Sequence, residues 1–323
     1  MNRLCFKSGL FVVAISCLAG VALAQPYPSK PLRFVVPFPP GGINDVMARA
    51  LGQKLTESLG QPVVIENRAG AGTIIGTELV AKSAPDGYTL LLASAAHAIN
   101  VTLHRKLPFD PVKDFALVTL IGTSPFFLVG HPSLPARDLK SLVAFARSRP
   151  GQLQYSSSGS GTSIHLMGEM LKAGAKLDIV HVPYKGIAPA LIDLIAGQVH
   201  FSFGSWLTTG PHVRAGKLRI YAATSPQRSK SVPDVPTIAE VAIPGYSAVA
   251  WYGIIVPAAT AREIVTRLHG ELTRALNAPD LNERLTSQGV EVTASTPAQF
   301  ADFLKSEIER WGTAVRQSGA KPD

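Results

Sequence analysis

The chain has 323 residues, 46% of them hydrophobic, and its 31 Lys and Arg against 22 Asp and Glu give a net charge of +9. This length can bury a substantial core and suggests two domains. Because the basic residues are scattered, without a basic run or an aromatic stacking motif, the charge excludes a dedicated nucleic-acid-binding protein and indicates a solvated surface that attracts anions.

The first 24 residues are predicted to be a secretory signal peptide. Two basic residues precede an apolar stretch, and small residues allow cleavage after Ala24, which predicts a periplasmic protein. A retained membrane anchor or lipidation at Cys17 is the less favoured alternative, since the apolar stretch is short for a membrane span. Both cysteines, Cys5 and Cys17, lie in this leader. The mature chain is therefore predicted to have no disulfide and no thiolate chemistry.

The most informative stretch lies near the start of the mature chain. Residues 32–36 form an apolar run that predicts a buried strand. Three prolines and two glycines follow within residues 37–42, which predicts a stiff, irregular loop. Asn44 or Asp45 then caps a helix. In an open parallel sheet such a loop lies at the carboxyl ends of the strands, where small ligands bind.

Strands and helices alternate along much of the remaining chain, which is typical of α/β proteins with parallel strand pairing. Further strands are predicted at residues 62–65, 88–93, 117–121, 125–129, 179–182, 199–203, 218–223, 251–257 and 290–293. Further helices are predicted at residues 74–81, 139–148, 164–171, 187–195, 261–276 and 297–315. Because the tail resembles the first third of the chain more than the middle, we predict a discontinuous first domain, residues 25–123 plus 251–323. An inserted second domain, residues 124–250, is joined to it by two crossover strands.

The local binding signals leave alternatives open. Residues 156–163 combine small hydroxyl side chains and glycines just before a helix, which predicts either a pocket for a carboxylate or phosphate or an ordinary flexible turn. Asp45 either holds a ligand ammonium or hydroxyl group or, as we favour, belongs to the first helical turn. Lys185 lies either in the cleft or on the solvated surface. Trp251 is expected in the core rather than on the cleft wall.

Catalytic and metal-binding patterns are not found. The sequence has no Gly-x-Ser-x-Gly nucleophile elbow, no cysteine nucleophile in the mature chain and no obvious carboxylate pair. His97 and His104 are seven residues apart without a third ligand at metal-binding spacing, and His165 is expected on an amphipathic helix. We therefore predict a ligand-binding protein that is not an enzyme and uses no cofactor or metal.

A series of short motifs in a fixed order resembles the Bug proteins, the extracytoplasmic solute receptors of tripartite tricarboxylate transporters. The resemblance covers essentially the whole mature chain. In chain order the motifs are YPSKP at 27–31, VPFPPGG at 36–42, ND at 44–45, QPVV at 61–64, ENR at 66–68, PDGYT at 85–89, VPYKG at 182–186, AGKL at 215–218, PDVPT at 233–237 and WYG at 251–253.

The resemblance implies an α/β, two-domain periplasmic-binding-protein (venus-flytrap) fold with the ligand cleft between the lobes. Members bind small carboxylates, and the loop matching residues 39–42 engages the ligand through backbone groups and bridging waters. Asp45 matches the position that contacts ligand amino groups in some members, whereas His200 and Gly204 stand where many relatives carry acidic residues. The predicted ligand-binding residues are Phe38, Pro39, Pro40, Gly41, Gly42, Asn44, Asp45, Ser94, Ala95, His97, Ser157, Ser158, Gly159, Gly161, Thr162, Tyr184, Lys185, Gly186, Gly204 and Ser205.

The function implied is a periplasmic solute-binding protein that captures a small organic acid and delivers it to the membrane permease subunits of a tripartite tricarboxylate transporter. The alternative is a ligand-dependent sensory co-receptor for a membrane histidine kinase. A secreted hydrolase is a third, weaker interpretation. We expect a monomer with no nucleic-acid partner, and the sequence does not identify the acid.

Overall fold

The computed structural model describes residues 27–322, so the predicted signal peptide lies outside the described residues. The strands are β1 Leu32–Val36, β2 Val63–Asn67, β3 Thr89–Ser94, β4 Phe115–Gly130, β5 Gln154–Ser157, β6 Val180–Pro183, β7 Phe201–Ser205, β8 Arg219–Ala223, β9 Val249–Pro257 and β10 Glu291–Val292. The helices are α1 Ile43–Leu59, α2 Ile74–Ala81, α3 Ala95–Leu103, α4 Leu139–Arg147, α5 Ser163–Ala175, α6 Ile187–Ile195, α7 Trp206–Arg214, α8 Ile238–Val241, α9 Arg262–Asn277, α10 Pro279–Ser287 and α11 Pro297–Ser318.

The strands form a mixed sheet in the order β2-β1-β3-β9-β4-β7-β5-β6, and β8 and β10 also pair with β4. In the first half β2, β1 and β3 are parallel, and β9 is antiparallel to β3. In the second half β6, β5 and β7 are parallel. Every residue of β3 is buried, which fits its continuous apolar run because helices cover both faces of parallel sheets.

The two halves are joined by β4 and β9, the two crossover strands. β4 is one strand of 16 residues, although the sequence predicts two, because residues 122–125 interrupt the apolar run. The pairing continues through them: Pro125 lies opposite Val249 of β9. Beyond this point, residues 126–130 pair with β7. The fold is thus the predicted α/β fold of two lobes, while the sequence limits of the two domains stay a prediction.

The register of the crossover places the carboxyl ends of the parallel strands opposite each other. Ser94, at the end of β3, pairs with Tyr252, which in turn pairs with Gly122 of β4. Ser205, at the end of β7, pairs with Phe126 of β4. Gly122 and Phe126 are four residues apart on one strand, a separation of about 13 Å at roughly 3.3 Å per residue. Because β3 and β7 run in opposite directions, their ends face each other across this gap.

The core extends beneath the crossover. Trp251 of β9 is fully buried, as predicted, and its ring packs edge-on against Phe300 and Phe303 of α11. Helix α11 also contacts α3 of the first half and α5 of the second half. The last helix therefore ties the two halves together on one side of the crossover.

Candidate functional site

Loops from the two lobes meet between the facing strand ends. A methyl group added to Gly186, after β6, would stand 3.5 Å from Cγ of Pro39, after β1. A methyl group added to Gly72 would lie 3.9 Å from the carbonyl oxygen of Ser160, and one on Gly161 would overlap the side chain of Leu103. The structure therefore brings together the loops after β1, β2, β5 and β6 at one cleft.

The opening loop, residues 37–42, is held by the carboxylate of Asp45 in the first turn of α1. Asp45 Oδ2 accepts hydrogen bonds from Gly41 N at 3.1 Å and Arg49 Nε at 3.0 Å, and Oδ1 accepts one from Asn67 Nδ2 at 3.0 Å. Burial of the carboxyl group opposes ionisation, but the bonds from Arg49, Gly41 and Asn67 and the charge of Arg49 outweigh it and lower the pKa of Asp45. The charged carboxylate of Asp45 therefore bonds to groups of its own lobe, and its direct contact with a ligand stays a prediction.

The remaining predicted residues of this loop form its exposed surface and its junction with α1. Pro39, Pro40 and Gly41 are exposed, and Gly42 is the residue before α1. Phe38 is half-buried, and its carbonyl oxygen accepts a hydrogen bond from Asn67 Nδ2 at 3.1 Å. Asn67 therefore bridges the loop and the helix start, a role that sequence reasoning missed.

On the rim after β3, Ser94 is the residue that precedes α3, and Ala95 begins the helix. His97 is buried, with Nε2 2.7 Å from the carbonyl oxygen of Pro111 and its ring packed edge-on against Phe115. Burial lowers the pKa of His97 to about 4, so the imidazole is neutral at pH 7. The hydrogen bond to Pro111 and the ring contact with Phe115 both lie within the lobe of His97, and its role in ligand binding stays a prediction.

Asn100 of α3, which the sequence analysis did not assign to the site, lies beside the contact between the two lobes. Its Nδ2 donates to the carbonyl oxygen of Gly72 at 2.9 Å, beside the contact with Ser160. Leu103, one turn further along, touches Gly161 on the other lobe. An asparagine among the mostly apolar residues of α3 was the available signal, since buried polar groups normally have partners.

The Ser/Gly loop after β5 is fixed by two histidines that the sequence analysis did not assign to it. Ser157 Oγ lies 2.6 Å from His181 Nε2, and Gly161 N donates to His165 Nδ1 at 3.0 Å. The two imidazole rings stack with centroids 4.1 Å apart. His165 lies on helix α5, and its side chain is buried behind the loop.

The other predicted residues of this loop also bond within it. Gly159 N donates to Ser157 Oγ, and Thr162 Oγ1 donates to the carbonyl oxygen of Gly159 while capping α5. Ser158 accepts a hydrogen bond from Gly186 N at 3.2 Å. Because these groups already have partners, the predicted cradle of N–H groups for a carboxylate stays a prediction.

The loop after β6 is tied to the Ser/Gly loop. Tyr184 N donates to the carbonyl oxygen of Ser157 at 3.1 Å, and the hydroxyl of Tyr184 donates to Asp193. Burial and the neighbouring carboxylate raise the pKa of Tyr184 to about 12. Lys185 is exposed, and Gly186 directly precedes α6 and faces Pro39.

The end of β7 completes the rim. Ser205 caps α7 by accepting a hydrogen bond from Thr208 N. A side chain on Gly204 would overlap Thr209, so the absence of an acidic residue here has a packing reason. His200 lies at the opposite end of β7, where its Nδ1 accepts from Gln154 N. It therefore stands away from the rim.

The cleft is favourable for anions. Helices α1, α3, α5, α6 and α7 all begin directly after the rim loops, so their N-terminal ends carry partial positive charge there. Asp45, in the first turn of α1, is paired with Arg49. Residues 27–322 contain no group of three or more His, Cys, Asp or Glu arranged to hold a metal ion. Within the same residues, no helix combines the length and apolarity that crossing a bilayer requires.

Solved structures with the same fold define the class of protein. MatC from Rhodopseudomonas palustris with bound malate matches with a TM-score of 0.84 and 34% identity, over 90% of this chain and 100% of that one. An R. palustris protein with adipate matches with a TM-score of 0.88 and 34% identity, over 92% and 100% of the chains. The periplasmic binding protein BugD matches with a TM-score of 0.86 and 31% identity, over 91% and 99%. The class is that of two-lobed periplasmic binding proteins.

Sequence comparison gives the family. Residues 47–320 match the sequence model of the tripartite tricarboxylate transporter family receptors, and the chain belongs to this family. Protein BugT of Bordetella pertussis is 39% identical over 325 residues, 99% of each chain. A UPF0065 protein from the tcbD-tcbE intergenic region of Pseudomonas sp. (strain P51) is 41% identical over 306 residues, 91% of each chain. The predicted family is thus confirmed, and the chain is a solute-binding receptor rather than an enzyme.

Proposed function

We propose that this protein captures a small organic acid in the cleft between its lobes and delivers it to the permease of a tripartite tricarboxylate transporter. The observation that carries the proposal is the convergence of helix N-termini from both lobes on one cleft, while the buried carboxylate of Asp45 at the start of α1 is paired with Arg49. Helix N-termini favour carboxylates. Malate and adipate, the acids in the two similar structures, belong to this chemical class.

The opening loop supplies rigid polar groups to the bound acid. Prolines fix its backbone, and Asp45 and Asn67 hold its ends from within the lobe. A loop that is already ordered loses little conformational entropy when the ligand binds, and its exposed carbonyl groups can order bridging waters. We also propose that the protein is located in the periplasm after residues 1–24 are removed.

Isothermal titration of the purified protein against a panel of mono-, di- and tricarboxylates tests capture. We expect saturable binding of at least one acid. Gly186→Leu should abolish it, because the new side chain projects toward Pro39 across the cleft. Gly245→Leu is the matched control, since Gly245 also has a positive φ but no atom within 4 Å of an added methyl group. Indifference of the wild-type protein to every acid contradicts the proposal.

Delivery is tested in the source organism by deleting the gene and measuring uptake of the acid identified by titration. We expect uptake to fall and to recover when the gene is restored. Unchanged uptake together with a lost transcriptional response to the acid would contradict delivery and favour the sensory role.

A further inference from the structure

The side chain of Asn100 carries a buried acceptor that the protein does not use. Asn100 is 2% exposed. Its Nδ2 donates to the carbonyl oxygen of Gly72 at 2.9 Å and lies 3.4 Å from Thr73 Oγ1. Its Oδ1 has no hydrogen-bond partner within the described part of the chain. Buried acceptors without partners are rare in folded proteins, so this oxygen calls for a donor.

The orientation of the amide is fixed by its neighbours. If the amide group were turned over, its oxygen would lie about where Nδ2 now stands, next to the carbonyl oxygen of Gly72. Two acceptors would then face each other without a proton between them, whereas the present orientation gives the Gly72 carbonyl its donor. The unused atom is therefore an oxygen, and it requires a donor rather than an acceptor.

The unused oxygen lies where the two lobes meet. A methyl group added to Gly72 would lie 3.9 Å from Asn100 Oδ1. It would also lie 3.9 Å from the carbonyl oxygen of Ser160, which belongs to the other lobe. Leu103, on the same face of α3, touches Gly161. The two oxygens, one from each lobe, therefore both border the position that a side chain on Gly72 would occupy.

We propose that Asn100 Oδ1 accepts a hydrogen bond from a hydroxyl or ammonium group of the bound acid, so that the protein selects acids that carry such a donor over the unsubstituted acids. This inference rests on the proposed function, because it assigns the chemistry of a ligand held in the same cleft. An unsubstituted acid excludes water without supplying a donor, and it leaves the buried oxygen unpaired.

The test uses matched pairs of acids that differ in one group: succinate with malate and aspartate, glutarate with 2-hydroxyglutarate and glutamate, and adipate with 2-hydroxyadipate. Titration calorimetry gives the ratio of dissociation constants within each set. For the chain length that binds, we expect the wild-type protein to bind a hydroxy or amino acid at least about tenfold more tightly than the unsubstituted acid. Asn100→Leu should bring this ratio close to one.

Thr77→Val is the control for general loosening of the segment that Asn100 holds. Thr77 is buried and donates to the carbonyl oxygen of Thr73 at 2.9 Å, so its loss loosens the same segment and leaves Asn100 Oδ1 in place. We expect this variant to keep the wild-type ratio even if its affinity falls. If Asn100→Leu does not fold, as judged by circular dichroism, Asn100→Ser provides the same comparison with a smaller side chain.

The outcomes separate this inference from the proposed function. A wild-type ratio near one, or a ratio that Asn100→Leu or Asn100→Ser leaves unchanged, would overturn the role of Asn100 while leaving acid capture intact. Failure of the wild-type protein to bind any acid of the panel would overturn both.

Discussion

At the scale of single residues, the cleft is built by side chains that hold loops rather than by side chains that point into open space. Asp45 fixes the opening loop, and Asn67 bonds both that loop and Asp45. His97 supports its own lobe through Pro111. Such contacts restrict the loops before any ligand arrives, which reduces the entropy lost on binding.

Removing the charge of Asp45 should loosen the opening loop. Asp45→Asn loses the ion pair with Arg49 and weakens the bond from Gly41 N, and hydrogen bonds to a charged group contribute about 1.5–3 kcal/mol. We expect a loss of this order in the free energy of unfolding, together with weaker acid binding. Urea unfolding and calorimetry measure the two effects. Asp138→Asn, at the exposed start of α4, is the control and should leave the affinity unchanged.

The buried His97 should make stability depend on pH. Its pKa of about 4 in the folded protein lies below the usual 6.5, so the unfolded chain takes up a proton first. The contribution of His97 to the free energy of unfolding should therefore be constant above pH 6.5 and fall as the pH drops toward 4. The fall should reach about 3 kcal/mol, since each pKa unit corresponds to about 1.4 kcal/mol. Urea unfolding at pH 7.5 and 4.5 measures the fall. His97→Gln should show a smaller fall, and an equal fall in both proteins would contradict the prediction.

At the scale of elements, strands end and helices begin on the same rim, and a second layer holds the connecting loops. The clearest case is the Ser/Gly loop between β5 and α5, which is backed by the stacked rings of His165 and His181. One ring comes from α5 and the other from β6. The loop shape therefore depends on the packing of a helix against a neighbouring strand.

Replacing one imidazole should disturb this loop without emptying the space behind it. His165→Phe keeps an aromatic ring against His181 but removes the acceptor for Gly161 N. An unpaired buried N–H costs about 1–3 kcal/mol, so we expect lower stability and weaker acid binding. Thermal unfolding and calorimetry provide the measurements. His269→Phe on α9, where the ring bonds Thr273, should leave acid binding unchanged; an equal loss of affinity in both variants would contradict a specific role for His165.

At the scale of the whole molecule, two lobes share the crossover strands β4 and β9, and α11 packs against helices of both. Within α11, Glu307 is fully buried, and its Oε2 accepts a hydrogen bond from Trp311 Nε1 at 2.8 Å. Arg310 lies 3.1 Å from its other oxygen. Burial is the main cause that raises the pKa of Glu307, although the charge of Arg310 and the hydrogen bond from Trp311 oppose it.

Glu307 should destabilise the fold progressively as the pH rises. Its folded pKa lies above the usual 4.5, so its favourable contribution is present at low pH and is lost as the pH rises from about 4.5 through the raised pKa. Glu307→Gln stays uncharged. We expect the free energy of unfolding of this variant, relative to wild type, to increase between pH 4.5 and 8, as measured by urea unfolding at several pH values. A difference that does not change with pH would refute this.

Local sequence patterns predicted much of the rim but little of what holds it. The proline-rich loop, the Ser/Gly loop and the burial of Trp251 followed from residue type and spacing. Helix α7 was missed because Gly210 and Pro211 lie within it, and β4 was divided because of its polar middle. The contacts of Asn100 beside the meeting of the two lobes were not predicted, since the rotation of α3 about its axis depends on what packs against it.

The sequence by itself determined most of the strands and helices, the family and the stiffness of the opening loop, because local residue patterns and short motifs carry this information. Tertiary structure alone decided which groups meet: Pro39 with Gly186, His165 with His181, and Asn100 with Gly72. These contacts join residues that are distant in sequence. They form only when the register of β4 and β9 brings the carboxyl ends of the two sets of strands face to face.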